Sequence, residues 1–412
     1  MRGTMAINER RGDPIACLFH SQHIRRLKMR KAKIVATLVV LMSTLLLWGS
    51  IAVAKDLPKV LVVATYGTAA SADYLVETAM APATEKITGM KVRIVGADAR
   101  LTQFRMVRLK EAHIVKTHWG TGWRPMFGVE EFGAEDWGPQ KLRMVWKGGP
   151  YYFTAVVKNN SEIKKIADLK GKKLAVYPGS DALWNGTLAY AGLSLKDVKI
   201  IPCSSYGDGI KLAMQGRADA AYASPVSGAS YEMSSSPDGA RFLPMPYEGS
   251  EKAWQKVKTI CPAFASGVCP KGFGAEISSG IWMEEYPEAE YSYADLDDDV
   301  AYLVTKARAE GYDSYKSAYS SLKYWTLENA VNFLSVPTPY HPGSIRYFKE
   351  KGLWTAKHEQ WQTKTLAFQD ALAAEWQKAV KSAKEKNIPV SYKSSEWQDF
   401  WKTHWEKLFE GM

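Results

Sequence analysis

Cysteine is scarce in this sequence. Four occur in 412 residues, and no two form a Cys-x-x-Cys pair, the spacing a zinc ribbon or dithiol redox centre would need. There is no Gly-x-Ser-x-Gly elbow, no His-Glu-x-x-His helix and no Walker phosphate loop. Low-complexity tracts are missing as well. The acidic run Asp295, Asp297, Asp298 and Asp299 is not a calcium loop. Val300 and Lys306 stand where an EF-hand needs Gly and Glu, so these carboxylates read as the favoured charge at a helix N-terminus. From these absences no metal, no cofactor and no catalytic residue is expected.

Long apolar runs are limited to one, Ile34–Trp48, shorter than the ~20 residues a membrane-spanning helix needs. It follows the basic residues Arg25, Arg26, Lys28, Arg30, Lys31 and Lys33 and precedes Ala52-Val53-Ala54, the small-x-small pattern cut by a signal peptidase. Residues 1–54 therefore read as an export signal, with Met29 an alternative start. The signal carries much of the charge: the whole chain is at +11, whereas residues 55–412 hold 45 basic and 41 acidic residues. A nucleic-acid-binding reading loses its support. Export to an oxidising compartment makes a Cys261–Cys269 disulfide an expectation, with Cys203 left over as a small buried hydrophobe.

Beyond the signal, strands and helices alternate. Val60–Thr65 reads as a buried strand, Leu75–Thr88 as a helix stopped by Gly89, and Val92–Val95 as a strand. Leu101–Glu111 follows as a helix and His113–Val115 as a strand. The pattern recurs: strands at Tyr152–Val157, Lys173–Tyr177, Lys199–Ile201 and Ala218–Ala223, helices at Asp181–Ala191 and Tyr206–Gln215. This alternation implies two α/β lobes, each with a parallel sheet. Pro262–Gly280 reads as a loop and Asp295–Glu310 as a helix. Two amphipathic helices follow Lys357, broken near Asn387-Ile388-Pro389. The last carries Trp397, Trp401 and Trp405 on one face, a stripe expected to dock on a lobe.

In such sheets ligands gather where strand ends meet helix N-termini. Four segments qualify: Tyr66–Tyr74, Ala97–Arg100, Pro178–Asp181 and the Trp- and Gly-rich Thr117–Trp123. Ser180 could cap its helix, leaving free N–H groups for an anion, and Arg100 could pair with a carboxylate.

Several stretches resemble a known family. Asp168-Leu169-Lys170-Gly171-Lys172-Lys173-Leu174-Ala175-Val176, followed by Pro178-Gly179-Ser180, is similar to the strand-and-loop signature of type II periplasmic binding proteins. Ala64-Thr65-Tyr66-Gly67-Thr68, with Tyr74 beyond, resembles the opening loop of the TAXI receptors of TRAP transporters. Gly216–Ala221 resembles their Gly-x-x-Asp-Ala strand. His341–Leu353 is similar to their C-terminal His-Pro-Gly-Ala-x-x-Tyr-x-x-Glu-x-Gly motif, the most specific of the set. The resemblance spans about residues 58–354; Ala99-Arg100 replaces the family's Gly-Ser.

The resemblance implies an α/β type II periplasmic-binding-protein fold, with two lobes joined by hinge strands around a cleft, plus C-terminal helices. Lobe I would comprise 55–150 and 247–345, lobe II 151–246, and the helical tail 346–412. It implies a periplasmic, monomeric solute receptor that is not an enzyme. Its partners would be a small polar, carboxylate-bearing solute and a TRAP membrane permease, with no nucleic acid. The expected ligand contacts are Tyr66, Gly67, Thr68, Ser71, Tyr74, Arg100, His118 and Trp119 from one lobe, and Ser180, Asp181, Tyr222 and Ser224 from the other. The alternatives left open are the receptor of an ATP-driven importer, a secreted enzyme using His118 with Asp181, and a sensor or structural binder.

Overall fold

The described residues of a computed structural model of the chain are 57–67, 71–261, 263–275, 278–332 and 337–410. Residues 1–54, expected to be an export signal, and Thr68 lie outside them.

The chain opens with β1 (Val60–Tyr66), α1 (Ala72–Thr88), β2 (Lys91–Ala97), α2 (Arg100–Arg108), β3 (Ile114–His118) and α3 (Trp119–Phe127). A long strand follows, β4 (Leu142–Lys158). Next come β5 (Lys173–Val176), α4 (Asp181–Ala189), β6 (Lys199–Pro202), α5 (Tyr206–Met214), β7 (Ala221–Ala223), α6 (Gly228–Ser234), β8 (Ala240–Phe242), α7 (Glu251–Ile260) and β9 (Ala265–Val268). A second long strand, β10 (Trp282–Tyr293), precedes α8 (Asp298–Glu310), α9 (Tyr312–Tyr315), α10 (Leu327–Val331), α11 (Pro342–Glu350), α12 (Ala356–Glu385) and α13 (Ser395–Glu410).

The two long strands organise the sheet. In the first half the order is β2-β1-β3-β10-β4, with β1 parallel to β2 and β3 and β10 antiparallel to both its neighbours. In the second half β5 pairs in parallel with β6 and touches the segment before β7 through Leu174 and Ala220. The far end of β4 then runs antiparallel between β7 and β8. Each half thus reads two-one-three, then a reversed strand, then one more. Each reversed strand is an extension of a strand from the other half. This is the α/β type II binding-protein fold, two lobes with shared hinge strands and added C-terminal helices.

Midway along both hinge strands, Pro150 faces Pro287, and β10 shifts register just beyond. Gly148 and Gly149 precede that point. A Cβ on Gly148 would meet the Trp325 ring at 2.6 Å and one on Gly149 would meet Tyr324 Cβ at 2.1 Å. These glycines mark where another segment crosses close to the strand. They also hide the strand in the sequence: Gly-Gly-Pro and Pro287 break the alternation, so the first half of β4 and all of β10 were not expected.

Other expectations need correction. Thr117–Trp123 is no loop but the end of β3 and the first turn of α3. Its glycines serve close packing: a Cβ on Gly120 would lie 2.9 Å from the Tyr286 ring, and one on Gly122 2.8 Å from that of Tyr291. Ser180 does not cap α4. Its hydroxyl turns back, donating to Tyr177 O at 2.7 Å and accepting from Tyr177 N at 3.0 Å. Cys261 and Cys269 are buried free thiols rather than a disulfide, and Cys203 is only half-buried. Helix α2 ends at Arg108, just before the left-handed Lys110. By contrast Asp297 caps α8 by accepting from Asp299 N at 2.8 Å, and Ser71 caps α1.

The C-terminal helices pack onto the first half. Trp397 Nε1 donates to Gly133 O at 2.7 Å and Trp401 Nε1 to Phe127 O at 2.9 Å. Trp405 meets Phe127 edge-on, with 5.3 Å between ring centroids. Residues 57–412 form one unit, tail included. No helix among the described residues is long and apolar enough to cross a membrane.

Truncating a buried tryptophan removes its apolar area and orphans a buried carbonyl. Trp401→Ala should cost about 3–5 kcal/mol. A urea melt shows this as a lower midpoint. An unchanged midpoint would mean the tail is not part of the folded core.

Candidate functional site

The strand ends of both halves converge on a cleft with two connected chambers. The inner one is narrow, with a cavity volume of about 20 Å³, and is lined by Tyr66, Ser71, Asp73, Arg100 and His118 from the first half. Tyr177, Leu183 and Tyr206 come from the second half, Tyr151 and Phe153 from the hinge strand. The outer one, about 190 Å³, lies between Gly67 and Asp98 on one side and the start of α5, Ser205 to Lys211, on the other. Tyr66, Ser71 and Tyr206 belong to both.

Each wall residue is placed by local backbone. Ser71, at the α1 N-terminus, donates to Tyr66 O and accepts from Tyr74 N at 3.3 Å, which ties the strand end to the helix. Asp73 sits in the first helical turn, where the dipole favours a carboxylate. Tyr151 and Phe153 are two apart on β4 and share a face. Tyr206 OH accepts from Ser224 N at 2.8 Å and donates to Ser227 Oγ at 2.9 Å.

The charged groups form one buried set. Lys116 Nζ, fully buried, lies 2.9 Å from Asp73 Oδ1 and 2.8 Å from Glu288 Oε1. Trp325 Nε1 donates to Glu288 Oε2 at 2.7 Å. Burial pushes the Glu288 carboxyl up while Lys116 pulls it down, and the two carboxylates hold Lys116 charged. Arg100 stacks on the Tyr66 ring, 3.9 Å from its centroid. Its polar contacts are loose: Thr117 Oγ1 at 3.4 Å and Asp73 Oδ2 at 3.9 Å. Burial, then the Arg100, Lys116 and Arg124 charges, press the His118 pKa well below its usual value, so the ring is neutral. Among the described residues its Nδ1 has no partner, nor does Tyr66 OH.

Of the expected contacts, the structure brings Tyr66, Gly67, Ser71, Arg100 and His118 to the cleft. Tyr74 lies on α1 beside Gly96, away from both chambers. Trp119 is buried in the core. Ser180 is turned onto Tyr177, and Asp181 lines a separate outer groove with Glu130 and Lys402. His118 and Asp181 therefore share no chamber. Tyr222 and Ser224 stand behind the wall: Tyr222 stacks on Phe153, and Ser224 N positions Tyr206.

Sequence reasoning missed Asp73, Tyr151, Phe153, Tyr177, Leu183 and Tyr206. A signal existed for Tyr206, which follows β6 as Arg100 follows β2. No group of His, Cys, Asp or Glu among the described residues is arranged to hold a metal.

Two buried groups outside the chamber touch both lobes or the hinge. Arg124, fully buried on α3, donates from Nη1 to Gly179 O across the cleft at 2.7 Å and pairs with Glu130 at 3.1 Å. Glu284, fully buried on β10, has no cationic partner among the described residues. Thr187 Oγ1 lies 2.6 Å from one oxygen and Tyr222 OH 2.7 Å from the other. Burial pushes its carboxyl up to about 8. Both hydroxyls donate to the carboxyl, Thr187 Oγ1 also lies 3.1 Å from Leu183 O, and Tyr286 OH lies 3.1 Å from Tyr222 OH.

The NMT1-like family matches residues 63–352. No curated protein matches. Among solved structures, the chain is similar to the substrate-binding protein of an amino acid ABC transporter, at 16% identity, covering 63% of this chain and 96% of that one, with a TM-score of 0.40. It is also similar to the aliphatic sulphonate-binding protein SsuA of Escherichia coli, at 15% identity, 75% and 86% coverage and a TM-score of 0.40. A third is the periplasmic VFT2 domain of Bordetella pertussis BvgS, at 14% identity, 65% and 93% coverage and a TM-score of 0.38.

Glu284 sets a pH dependence. Its folded pKa lies above that of an unfolded glutamic acid, so its contribution is full below the usual carboxylate range and is lost as pH rises through about 8. Melts of the wild type should lose stability between pH 5 and about 9 relative to Glu284→Gln, whose amide cannot titrate. Parallel curves for the two proteins would show that Glu284 ionises normally.

Proposed function

The chain belongs to the NMT1-like family, and from that premise we propose that it is a periplasmic solute receptor which closes its two lobes on a small polar molecule bearing a carboxylate. The observation that carries this reading is the inner chamber, walled by the strand ends of both halves and by the hinge strand. Such a chamber is assembled by bringing lobes together and emptied by parting them.

The closed geometry supports the reading. Arg124 on α3 and Gly179 before α4 belong to opposite halves, and their hydrogen bond forms only when those halves approach. Gly148-Gly149-Pro150 and Pro287 supply the point about which the hinge strands bend. Arg100 offers a guanidinium edge without an acceptor among the described residues, which suits a ligand carboxylate. Tyr66, Tyr177 and Tyr206 contribute hydroxyls, and Tyr151, Phe153 and Leu183 an apolar wall. Ser71, Gly67 and His118 complete the contacts on the first lobe.

The narrower proposal is delivery to a TRAP permease, driven by an ion gradient, as the TAXI-like motifs at Ala64–Thr68 and His341–Leu353 suggest. Uptake dependent on this protein should then stop when an ionophore collapses the gradient and survive ATP depletion with the gradient held. The reverse pattern would assign it to an ATP-driven importer.

A solute that binds the folded state raises the melting temperature by mass action, about 2.7 kcal/mol at a hundred times Kd. Thermal-shift screening against carboxylates, sulfonates, amines and sugars should give a saturable hit. Arg100→Ala should weaken that hit at least tenfold. X-ray scattering should show contraction on binding. The absence of any hit across all four classes would defeat the receptor reading.

A further inference from the structure

The buried charges at the inner chamber already balance. Arg100 and Lys116 are cations, Asp73 and Glu288 are carboxylates, and all four are nine-tenths buried or more. Lys116 is fully committed between the two carboxylates, at 2.9 and 2.8 Å. His118 beside them is neutral. Arg124, outside this chamber, has its own counter-charges in Glu130 at 3.1 Å and Glu131 at 3.8 Å. A bare anion laid against Arg100 would therefore leave the set with one uncompensated negative charge away from water, which costs several kcal/mol.

Among the groups left open at this chamber, Tyr66 OH and His118 Nδ1 are neutral, and two are charged, of opposite sign and adjacent. Arg100 has no acceptor for Nε or Nη2 among the described residues. Asp73 Oδ2 receives no hydrogen bond among them, and it lies 3.9 Å from Arg100 Nη1, too far for a hydrogen bond between the two. Both side chains line the chamber, next to Ser71. The remaining walls are aromatic and aliphatic, with Tyr151, Phe153, Tyr177 and Leu183.

We propose that the ligand is a zwitterion, with its carboxylate on Arg100 and its ammonium on Asp73 Oδ2. The chamber thereby selects small amino acids or betaines over simple carboxylates. This rests on the receptor reading above and goes beyond it by naming the ligand's second charge. A zwitterion adds no net charge to the closed chamber and satisfies both open charged groups. A methylated ammonium would meet the Tyr151 or Phe153 face instead of a hydrogen-bond acceptor.

The test uses the unmodified protein, by calorimetry or thermal shift. The probes are the twenty standard L-amino acids and glycine betaine. Each is run beside the carboxylate lacking its nitrogen and the amine lacking its carboxylate. Saturable binding by one or more zwitterions, with both truncated partners at least a hundredfold weaker, is the expected result. Asp73→Asn, which leaves Lys116 paired with Glu288, should weaken the zwitterion at least tenfold and reduce its preference over the matched carboxylate. Because the comparison within each ligand series needs no variant, it decides the matter even if Asp73→Asn fails to fold. A carboxylate, sulfonate or dicarboxylate that binds within threefold of its amino counterpart, or hits confined to anions, would overturn the zwitterion while leaving the receptor standing. Silence across every class would overturn both.

Discussion

The molecule depends on the antiparallel pairing of β4 and β10. Each strand is internal to one half of the sheet and continues into the other. Neither half can fold with its reversed strand in place unless the other contributes that strand. The same two strands carry much of the cleft. Tyr151 and Phe153 face the chamber from β4. Glu288 holds Lys116 from β10, and Lys116 in turn fixes Asp73 on α1. A small bend at Gly148-Gly149-Pro150 and Pro287 is thereby linked to the geometry of the ligand-facing charges.

Charge is managed by closed sets rather than isolated pairs. Lys116 serves two carboxylates, and so does Arg308, fully buried between Glu77 at 2.8 Å and Glu290 at 2.6 Å. Such arrangements are costly to break, because removing one partner leaves another charge stranded. They serve here to fix α1 and α8 against β10 at a defined angle, with the chamber at the end of that assembly. Arg100 and Asp73 both keep open atoms at the wall of the inner chamber.

The tail adds a feature outside the matched residues 63–352. Its tryptophans bond to backbone carbonyls at Gly133 and Phe127, bracing α3 from behind. Helix α3 carries Arg124, whose reach to Gly179 spans the cleft. The aromatic stripe is thus absorbed by packing, and its mechanical effect falls on a segment that contacts the opposite lobe.

The sequence by itself determined the repeated strand–helix alternation, the stop of the first helix at Gly89, the acidic start of α8, the aromatic face of the last helix and two residues of the chamber wall, Tyr66 and Arg100. These follow from periodicity and local turn chemistry, which act over a few residues. It could not show β10 or the first half of β4, because Gly-Gly-Pro and Pro287 erase the two-residue period that marks a strand. Nor could it show that Gly120 and Gly122 serve packing against Tyr286 and Tyr291 rather than a loop. The partnership of Asp73, Lys116 and Glu288 was also illegible. The last two lie 172 positions apart and meet only because two strands pair in the folded sheet. Which charges remain unpaired, and hence what the cleft can accept, was decided by tertiary structure alone, since saturation of a buried charge depends on every neighbour within a few ångströms and none of those need be near in sequence.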